Sequence, residues 1–280
     1  MRIISVNEIT ALIKEMCIEA NHSLSNDMAE ILEKSSHTEV SPVGKNILEQ
    51  LQENLRIAGE EMIPICQDTG MAVIFMDIGQ QVHFKDGNLE QAIQEGVRQG
   101  YQEGYLRKSV VSDPFIRKNT NDNTPAVIYY NIVEGDNVTV TVAPKGFGSE
   151  NMSRIYMLKP ADGIEGAKKV IEETVLEAGP NACPPMVVGV GIGGTFDKCA
   201  LLAKKALLRS VNERSSLPHI REMEEELLEK LNKSGIGPGG LGGKNTVYAI
   251  NIDIYPTHIA GLPVAVNICC HVNRHVKKTI

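Results

Sequence analysis

The order of helical and strand-like segments limits the folds open to this chain of 280 residues. Residues 1–60 carry apolar side chains at helical spacing, beginning with Ile9, Ile13 and Met16, so the N-terminal part is predicted to be all-helical. Strand-like and helical runs then follow each other without the regular β-α-β alternation of a parallel α/β fold. We therefore predict an α+β fold, a single domain over residues 1–280 with antiparallel and mixed sheets surrounded by helices.

Two strand-like runs indicate how part of a sheet is built. AVIYYNIV and NVTVTVAP flank Glu134-Gly135-Asp136, and the second run alternates valine with threonine. Alternation on either side of a short connection that contains glycine predicts a β-hairpin over residues 126–143.

Charge and hydropathy exclude several classes of partner. The net charge is −7, from 28 basic and 35 acidic side chains, so we expect no nucleic-acid partner, since phosphate binding needs a basic surface. No apolar run reaches the length of a membrane span, and the N-terminal helix lacks the continuous apolar core of a signal peptide. We expect no membrane partner and a cytoplasmic protein. In that reducing compartment, metal binding or catalysis is favoured over disulfide bonds for the six cysteines.

Two glycine-rich segments resemble nucleotide-binding loops. GVGIGG, from Gly189 to Gly194, matches G-x-G-x-x-G between a strand and a helix, so an NAD-binding oxidoreductase is one alternative function. The other explanation is that these glycines let a strand-to-helix turn pack tightly. GIGPGGLGGKN is not a phosphate-binding loop, because Pro238 stands where that motif needs glycine and Asn245 replaces its serine or threonine. Lys244 is either brought to a site by this loop or solvated.

The segment KGFGSENMSR suggests an anion site. Ser149 is predicted as the N-cap of a short helix with exposed backbone N–H groups, flanked by Lys145 and Arg154. A plain turn after the hairpin is the alternative.

The cysteines divide into two groups by their surroundings. Cys17 and Cys199 lie on helices and are predicted to be core residues. The others end apolar segments beside polar turns, in ICQDTG, NACPPM and NICCHVNR, and are Cys66, Cys183, Cys269 and Cys270. No C-x-x-C occurs, which disfavours a zinc ribbon or a thioredoxin site.

Several motifs in a fixed order carry a family resemblance. CQDTG, KGFGSENMS, ACPPMVVGVGIGGT, the loop ending in GGK, and PVAVNICCHVNRH follow one another along the chain. Together they resemble the alpha subunit of the class I, iron–sulfur fumarate hydratase and L-tartrate dehydratase family, from about Asn46 to the C-terminus. Members of this family combine an alpha and a beta part, and this chain resembles a lone alpha subunit.

The resemblance implies a 4Fe–4S cluster held by three cysteines, with one iron open to substrate. Cys66 and Cys183 match the family's motifs, and the third ligand, four residues before Arg274, is Cys270. Cys269 is a neighbour that the family does not require. Since successive strand residues point to opposite faces, only one cysteine of this pair can face the cluster.

The resemblance also implies a reaction and a set of site residues. The reaction is the reversible hydration or dehydration of a C4 hydroxy-dicarboxylate, with malate and fumarate expected and L-tartrate as the alternative. Asp68 and His258 are implied as catalytic residues, and Gln67, Asp68, Arg107 and Gly148 as substrate-binding residues. A beta subunit is expected to supply the base and to be needed for activity, and the alpha chains are expected to associate with each other.

Two sequence features leave room for variation. Asn273 stands where the family usually has aspartate before the arginine, which would alter the hydrogen bonding of Arg274. A third class of function is a non-catalytic redox or iron-sensing protein. It would need a fully ligated cluster, for instance one bound by both Cys269 and Cys270.

Overall fold

A computed structural model describes all residues, 1–280, and confirms the α+β class. The chain packs as two compact units. Unit 1 contains Met1–Ser25, Leu55–Phe147 and Arg274–Ile280, and unit 2 contains Asn26–Asn54 and Gly148–Asn273. That both units form a single domain stays a prediction. None of the helices combines the length and the apolar character that a membrane crossing requires.

Helices and strands are spread over the whole chain. The helices are α1 (Val6–His22), α2 (Asn26–Thr38), α3 (Pro42–Glu61), α4 (Leu89–Glu103), α5 (Phe147–Glu150), α6 (Gly163–Ala178), α7 (Phe196–Ala206) and α8 (Pro218–Asn232). The strands are β1 (Arg2–Ser5), β2 (Met71–Gly79), β3 (Val82–Lys85), β4 (Val127–Val133), β5 (Val138–Lys145), β6 (Arg154–Leu158), β7 (Met186–Gly193), β8 (Val247–Tyr255), β9 (Leu262–Cys269) and β10 (Val276–Thr279).

The main sheet of unit 1 has the strand order β10-β5-β2-β4, and it corrects the predicted hairpin. The two strands within residues 126–143 form, but they do not pair with each other. Instead β2 lies between them, parallel to β4 and antiparallel to β5. The C-terminal end of β2 is hydrogen-bonded to the turn between β4 and β5. Gly79 N donates to Asn137 O (2.8 Å), and Gln81 N donates to Gly135 O (3.0 Å). The almost wholly buried β2 needs a partner on each edge, which a local pattern does not reveal.

The N-terminal part is helical from Val6 to Glu61, but a short strand precedes it. β1 pairs in parallel with β3, which corrects the prediction of helix from the first residues. Ser5 then caps α1 by accepting a hydrogen bond from Asn7 N. Four residues are too few to show a strand periodicity, and the partner strand lies far along the chain.

Helices α1 and α4 of unit 1 pack closely because two glycines of α4 face α1. A Cβ at Gly96 would lie 2.7 Å from Ile13 Cβ, and one at Gly100 would lie 2.8 Å from Cys17 Cβ. Cys17 is buried, as predicted, and burial raises the pKa of its thiol to about 12. This cysteine therefore stays a protonated core residue.

Unit 2 is built on a sheet with the strand order β6-β9-β7-β8. Helices α6 and α8 cover one face with an apolar cluster that includes Ile171, Val188 and Leu227. Helix α7 packs on the other face, where Cys199 and Ala203 meet Ala265. Cys199 is thus a core residue, as predicted.

The glycines of GVGIGG are used for packing. A Cβ at Gly189 would lie 2.1 Å from Ala203 O, and one at Gly191 would lie 2.1 Å from Cys199 O, both in α7. These two glycines lie inside β7, whereas a dinucleotide fingerprint places them in the turn after the strand. Tight packing of α7 accounts for the motif, and the geometry gives no support to NAD binding.

Candidate active site

The QDTG turn of unit 1, residues 67–70, is held by hydrogen bonds from buried side chains. The Tyr101 hydroxyl donates to Thr69 O (2.8 Å) or Gly70 O (3.0 Å), and Asn123 Nδ2 donates to Gly70 O (3.1 Å). Both side chains belong to residues that are fully buried. Burial raises the pKa of Tyr101, so this hydroxyl stays protonated and available as a donor. The turn is therefore fixed by the protein itself.

Asp68 caps two backbone segments at once. Its Oδ1 accepts a hydrogen bond from Gly70 N (3.0 Å), and its Oδ2 accepts one from Phe147 N (2.9 Å) at the start of α5. The prediction that Ser149 caps this helix is wrong, because Ser149 lies inside α5. The acceptor comes from a residue far away in the sequence, so the local pattern pointed to the wrong side chain.

The structure brings Arg107 to the QDTG turn. The carbonyl of Arg107 accepts a hydrogen bond from Thr69 Oγ1 (3.1 Å), and Ser109 N donates to Asn123 Oδ1 (2.7 Å). The side chains of Gln67 and Arg107 are exposed, and Cys66 is half-buried. Unit 1 therefore presents an amide, a cation and an accessible thiol from two neighbouring segments.

Arg274 contacts this turn, which the sequence motifs did not indicate. It is 4% exposed, and its Nη2 donates to Asp68 O. Its Nε and Nη1 have no hydrogen-bond partner in the structure. The buried guanidinium holds the turn that carries Asp68, a contact across most of the sequence that no local motif could indicate. Asn273 donates its amide to Leu207 O (2.9 Å).

Cys183 and Cys270 lie on neighbouring segments of unit 2. Cys183 is exposed and left-handed (φ 51°, ψ 64°), and its N–H donates to Pro180 O (3.2 Å). Its carbonyl accepts a hydrogen bond from His271 N (3.4 Å), and the His271 ring Nδ1 lies 3.0 Å from the same oxygen. His271, the residue after Cys270, is therefore hydrogen-bonded to the backbone of Cys183.

Accessibility separates the three cysteines that match the family's ligand positions from the other three, and it moves Cys269 into the group of core cysteines. None forms a disulfide. Cys66, Cys183 and Cys270 are half-buried or exposed. The buried ones are Cys17, Cys199 and Cys269. The three accessible thiols have the chemistry that iron–sulfur clusters require.

The structure does not assemble these thiols into a metal site. No three His, Cys, Asp or Glu side chains are arranged so that they could hold a metal ion. Cys66 belongs to unit 1, and Cys183 and Cys270 belong to unit 2. The complete ligand set therefore stays a prediction.

Gly148 and His258 lie at opposite ends of the unit 2 sheet. Exposed Gly148 is in α5, whose Glu150 accepts a hydrogen bond from Asn267 near the Cys270 end of β9 (2.7 Å). Exposed His258 precedes β9 and accepts a hydrogen bond from Ala260 N (3.2 Å). The strand between them spans about 24 Å at ~3.4 Å per residue. Within unit 2, His258 is not brought together with Cys270.

The glycine-rich loop before β8 contacts the segment that contains Cys183. Gly239 N donates to Pro184 O (2.8 Å). The loop ends on the carboxylate of Glu39, and the side chain of Lys244 is exposed. Burial acts to raise the pKa of Glu39, but hydrogen bonds from Ser41, Lys244 and Asn245 outweigh it and lower this pKa to about 2.

We expect Glu39 to make the chain sensitive to acid. Since its pKa is lower in the folded chain than the ordinary ~4.3, its contribution to stability is complete above that value and is lost as the pH falls toward 2. Urea unfolding of wild type and Glu39→Gln should therefore differ most near neutral pH and converge as the pH falls to about 2. If the difference in unfolding free energy between the two proteins stayed constant over this pH range, the lowered pKa of Glu39 would be contradicted.

Comparison with known proteins identifies the family. The sequence model of a protein family described as fumarate hydratase (Fumerase) matches residues 10–279. A chain of Methanocaldococcus jannaschii with the provisional name L(+)-tartrate dehydratase subunit alpha is 41% identical over 98% of both chains. The L(+)-tartrate dehydratase subunit alpha of Escherichia coli K12 is 30% identical over 96% of this chain and 90% of its own length. These matches confirm the resemblance that the motifs indicated, and the chain belongs to the fumarate hydratase (Fumerase) family.

Proposed function

We propose that this chain is the alpha subunit of a two-subunit hydro-lyase that adds water to, or removes it from, a C4 dicarboxylate. The names of the relatives support a partner beta subunit, because both are alpha subunits of a dehydratase. The observation that carries the proposal is the division of the cysteines. The three that match the family's motifs are accessible, and the other three are buried.

The proposed cofactor is a 4Fe–4S cluster held by Cys66, Cys183 and Cys270. When bound, such a cluster supplies a Lewis acid at the iron that lacks a protein ligand. Thiolates are the preferred ligands of such clusters, so the donor chemistry fits.

The residues of the QDTG turn suit the binding of a dicarboxylate. Arg107 is exposed beside the turn, and its guanidinium can bind a carboxylate with two parallel hydrogen bonds. Gln67 offers an exposed amide N–H from the adjacent segment. Each oxygen of Asp68 accepts one backbone hydrogen bond and keeps a free lone pair, so Asp68 can orient a substrate hydroxyl without releasing the turn.

Two further residues are proposed with different support. No atom lies within 4 Å of the position that a Cβ would take at Gly148, which leaves room for a ligand to approach its N–H. His258 lies at the far end of β9 from Cys270, and we propose that it serves the site of a second copy of the chain. The expected association of alpha chains would allow this. The catalytic base is assigned to the beta subunit.

Two substrates are supported by different observations. The description of the family model favours malate and fumarate, which was the expectation from the motifs. The names of both relatives favour L-tartrate. L-Tartrate differs from malate by one additional hydroxyl group, on the second central carbon.

Co-expression with the beta subunit tests the proposal. The anaerobically reconstituted pair is expected to contain about four irons per alpha chain and to turn over malate, fumarate or L-tartrate, whereas neither chain alone does. Arg107→Ala is expected to raise KM by about 10-fold to 100-fold, since a hydrogen-bonded charge is lost. Lys118→Ala, which removes another exposed cation of unit 1, serves as the control. Inactivity of the iron-loaded pair on all three substrates would refute the proposal.

A further inference from the structure

The glycine-rich loop of unit 2, Gly235–Asn245, ends on a single buried carboxylate. Glu39 is 8% exposed and follows α2. Lys244 N donates to its Oε1 (2.9 Å) and Oε2 (3.1 Å), and Asn245 donates to its Oε2 through the backbone N (3.0 Å) and Nδ2 (2.8 Å). Three donors from the end of the loop therefore converge on one side chain.

The same carboxylate also fixes its own segment. Val40 N and Ser41 N donate to Glu39 Oε1 at 2.8 and 3.0 Å. With five N–H groups around it, Glu39 cannot be replaced by glutamine without loss, because an amide NH₂ would face other donors. The loop also lies directly on the carboxylate, since a Cβ at Gly243 would be 2.7 Å from Glu39 Oε1.

The other side of the loop lies against the segment that presents Cys183. Gly239 N donates to Pro184 O (2.8 Å), the residue directly after Cys183. A Cβ at Gly240 would lie 2.4 Å from Pro180 Cβ, and Pro180 O accepts the hydrogen bond from Cys183 N. The loop thus contacts the chain on both sides of this cysteine.

The backbone of Cys183 needs such support. Its φ of 51° is a left-handed conformation, which a residue other than glycine keeps only when its surroundings impose it. Contacts on both sides supply that constraint, from Gly239 on Pro184 and from His271 on the carbonyl of Cys183.

We propose that Glu39 is a positioning residue, whose carboxylate holds the glycine-rich loop against Pro180–Pro184 and so fixes the conformation in which Cys183 offers its thiol. An effect of Glu39 on a bound cluster rests on the proposed function. The effect of Glu39 on the conformation of Cys183 does not. Glu39 acts through the loop, because its carboxylate binds Lys244 and Asn245 and its own segment rather than Cys183.

Hydrogen exchange of the full chain without iron tests this link. In Glu39→Gln, we expect amide exchange to accelerate about tenfold or more both at Lys244–Asn245 and in the peptide that contains Cys183, as expected when charged hydrogen bonds are lost. Of the hydrogen bonds to Glu39, Asn245→Ala removes only the one from Asn245 Nδ2, and it should produce a smaller acceleration of exchange in the same two peptides. Acceleration at Lys244–Asn245 alone would overturn the proposal.

Glu224→Gln is the matched control. Glu224 is another buried carboxylate of unit 2, but it binds Ser215 N (2.8 Å) and Ile252 N (2.7 Å), away from the glycine-rich loop. This variant lowers the stability of the whole chain, but we expect it to leave exchange at Cys183 unchanged without denaturant, where local opening rather than global unfolding limits exchange. Equal acceleration at Cys183 in both carboxylate variants would indicate general destabilisation and overturn the proposal.

A second measurement addresses the cluster. After anaerobic reconstitution, Glu39→Gln should lose iron to a chelator about tenfold faster than wild type, and Glu224→Gln should not. Equal rates of loss in Glu39→Gln and wild type would overturn the positioning of a ligand. If the wild type takes up no iron, that result counts against the proposed function, and hydrogen exchange alone decides the role of Glu39.

Discussion

Cys270→Ser is expected to abolish the iron–sulfur absorbance and the hydro-lyase activity, whereas Cys269→Ser is expected to leave both nearly intact. The two residues are neighbours, but Cys270 is half-buried just past β9, and Cys269 is 6% exposed and pairs with Val187 inside the sheet. Activity of Cys270→Ser should fall by more than about 100-fold, since loss of a group that merely supports a metal ligand already costs about 10-fold to 100-fold.

Iron content, visible absorbance and turnover of the reconstituted pair check this expectation. Cys199→Ser, at a buried cysteine of α7, is a control for general effects of removing a thiol. Loss of the cluster in Cys269→Ser and its retention in Cys270→Ser would reverse the assignment. Loss in both variants would favour the fully ligated cluster of a redox or iron-sensing protein.

Glu224→Gln is expected to destabilise the chain by about 3 kcal/mol, near the lower end of what breaking a buried ion pair costs. Glu224 is completely buried and pairs with Arg209. It also accepts hydrogen bonds from the backbone N–H groups of Ser215 and Ile252. Glutamine keeps the shape but removes the charge, so Arg209 loses its buried ionic partner and keeps only the partly exposed Asp253, 3.6 Å away. One buried donor then also faces another donor.

Urea unfolding measures this effect, with Glu229→Gln as the comparison. Glu229 pairs with Lys233 on the surface of the same helix, with both side chains 71% exposed. Loss of that pair is expected to cost less than about 0.5 kcal/mol. Similar changes in the two variants would show that Glu224 contributes no more than a surface charge.

Periodicity in the sequence predicted the elements of this fold better than their pairing. Amphipathic spacing indicated the N-terminal helices, because α1 buries Ile9, Ile13 and Met16 in one continuous stripe. The alternation in β5 was also sufficient to predict a strand. Which strands pair depended on β2, a buried segment that precedes both of its partners and separates them, and no local pattern contains that information.

The candidate site shows the same limit. Motifs indicated Cys66, Cys183 and Cys270 because thiols beside polar turns are recognisable in a sequence. Tyr101, Asn123 and Glu39 could not be recognised, since they act through hydrogen bonds to the backbone of segments distant in the sequence. The prediction that Ser149 caps α5 failed for the same reason, because the acceptor is Asp68, which is distant in the sequence.

The QDTG turn is held by side chains that are distant from it in the sequence. Tyr101, Asn123 and Arg274 bind its carbonyl groups, and its own aspartate binds two N–H groups. Because these partners are spread along the whole of unit 1, the turn takes its shape only when that unit has folded. Under the proposed function, insertion of a cofactor next to Cys66 would then be a late step of maturation.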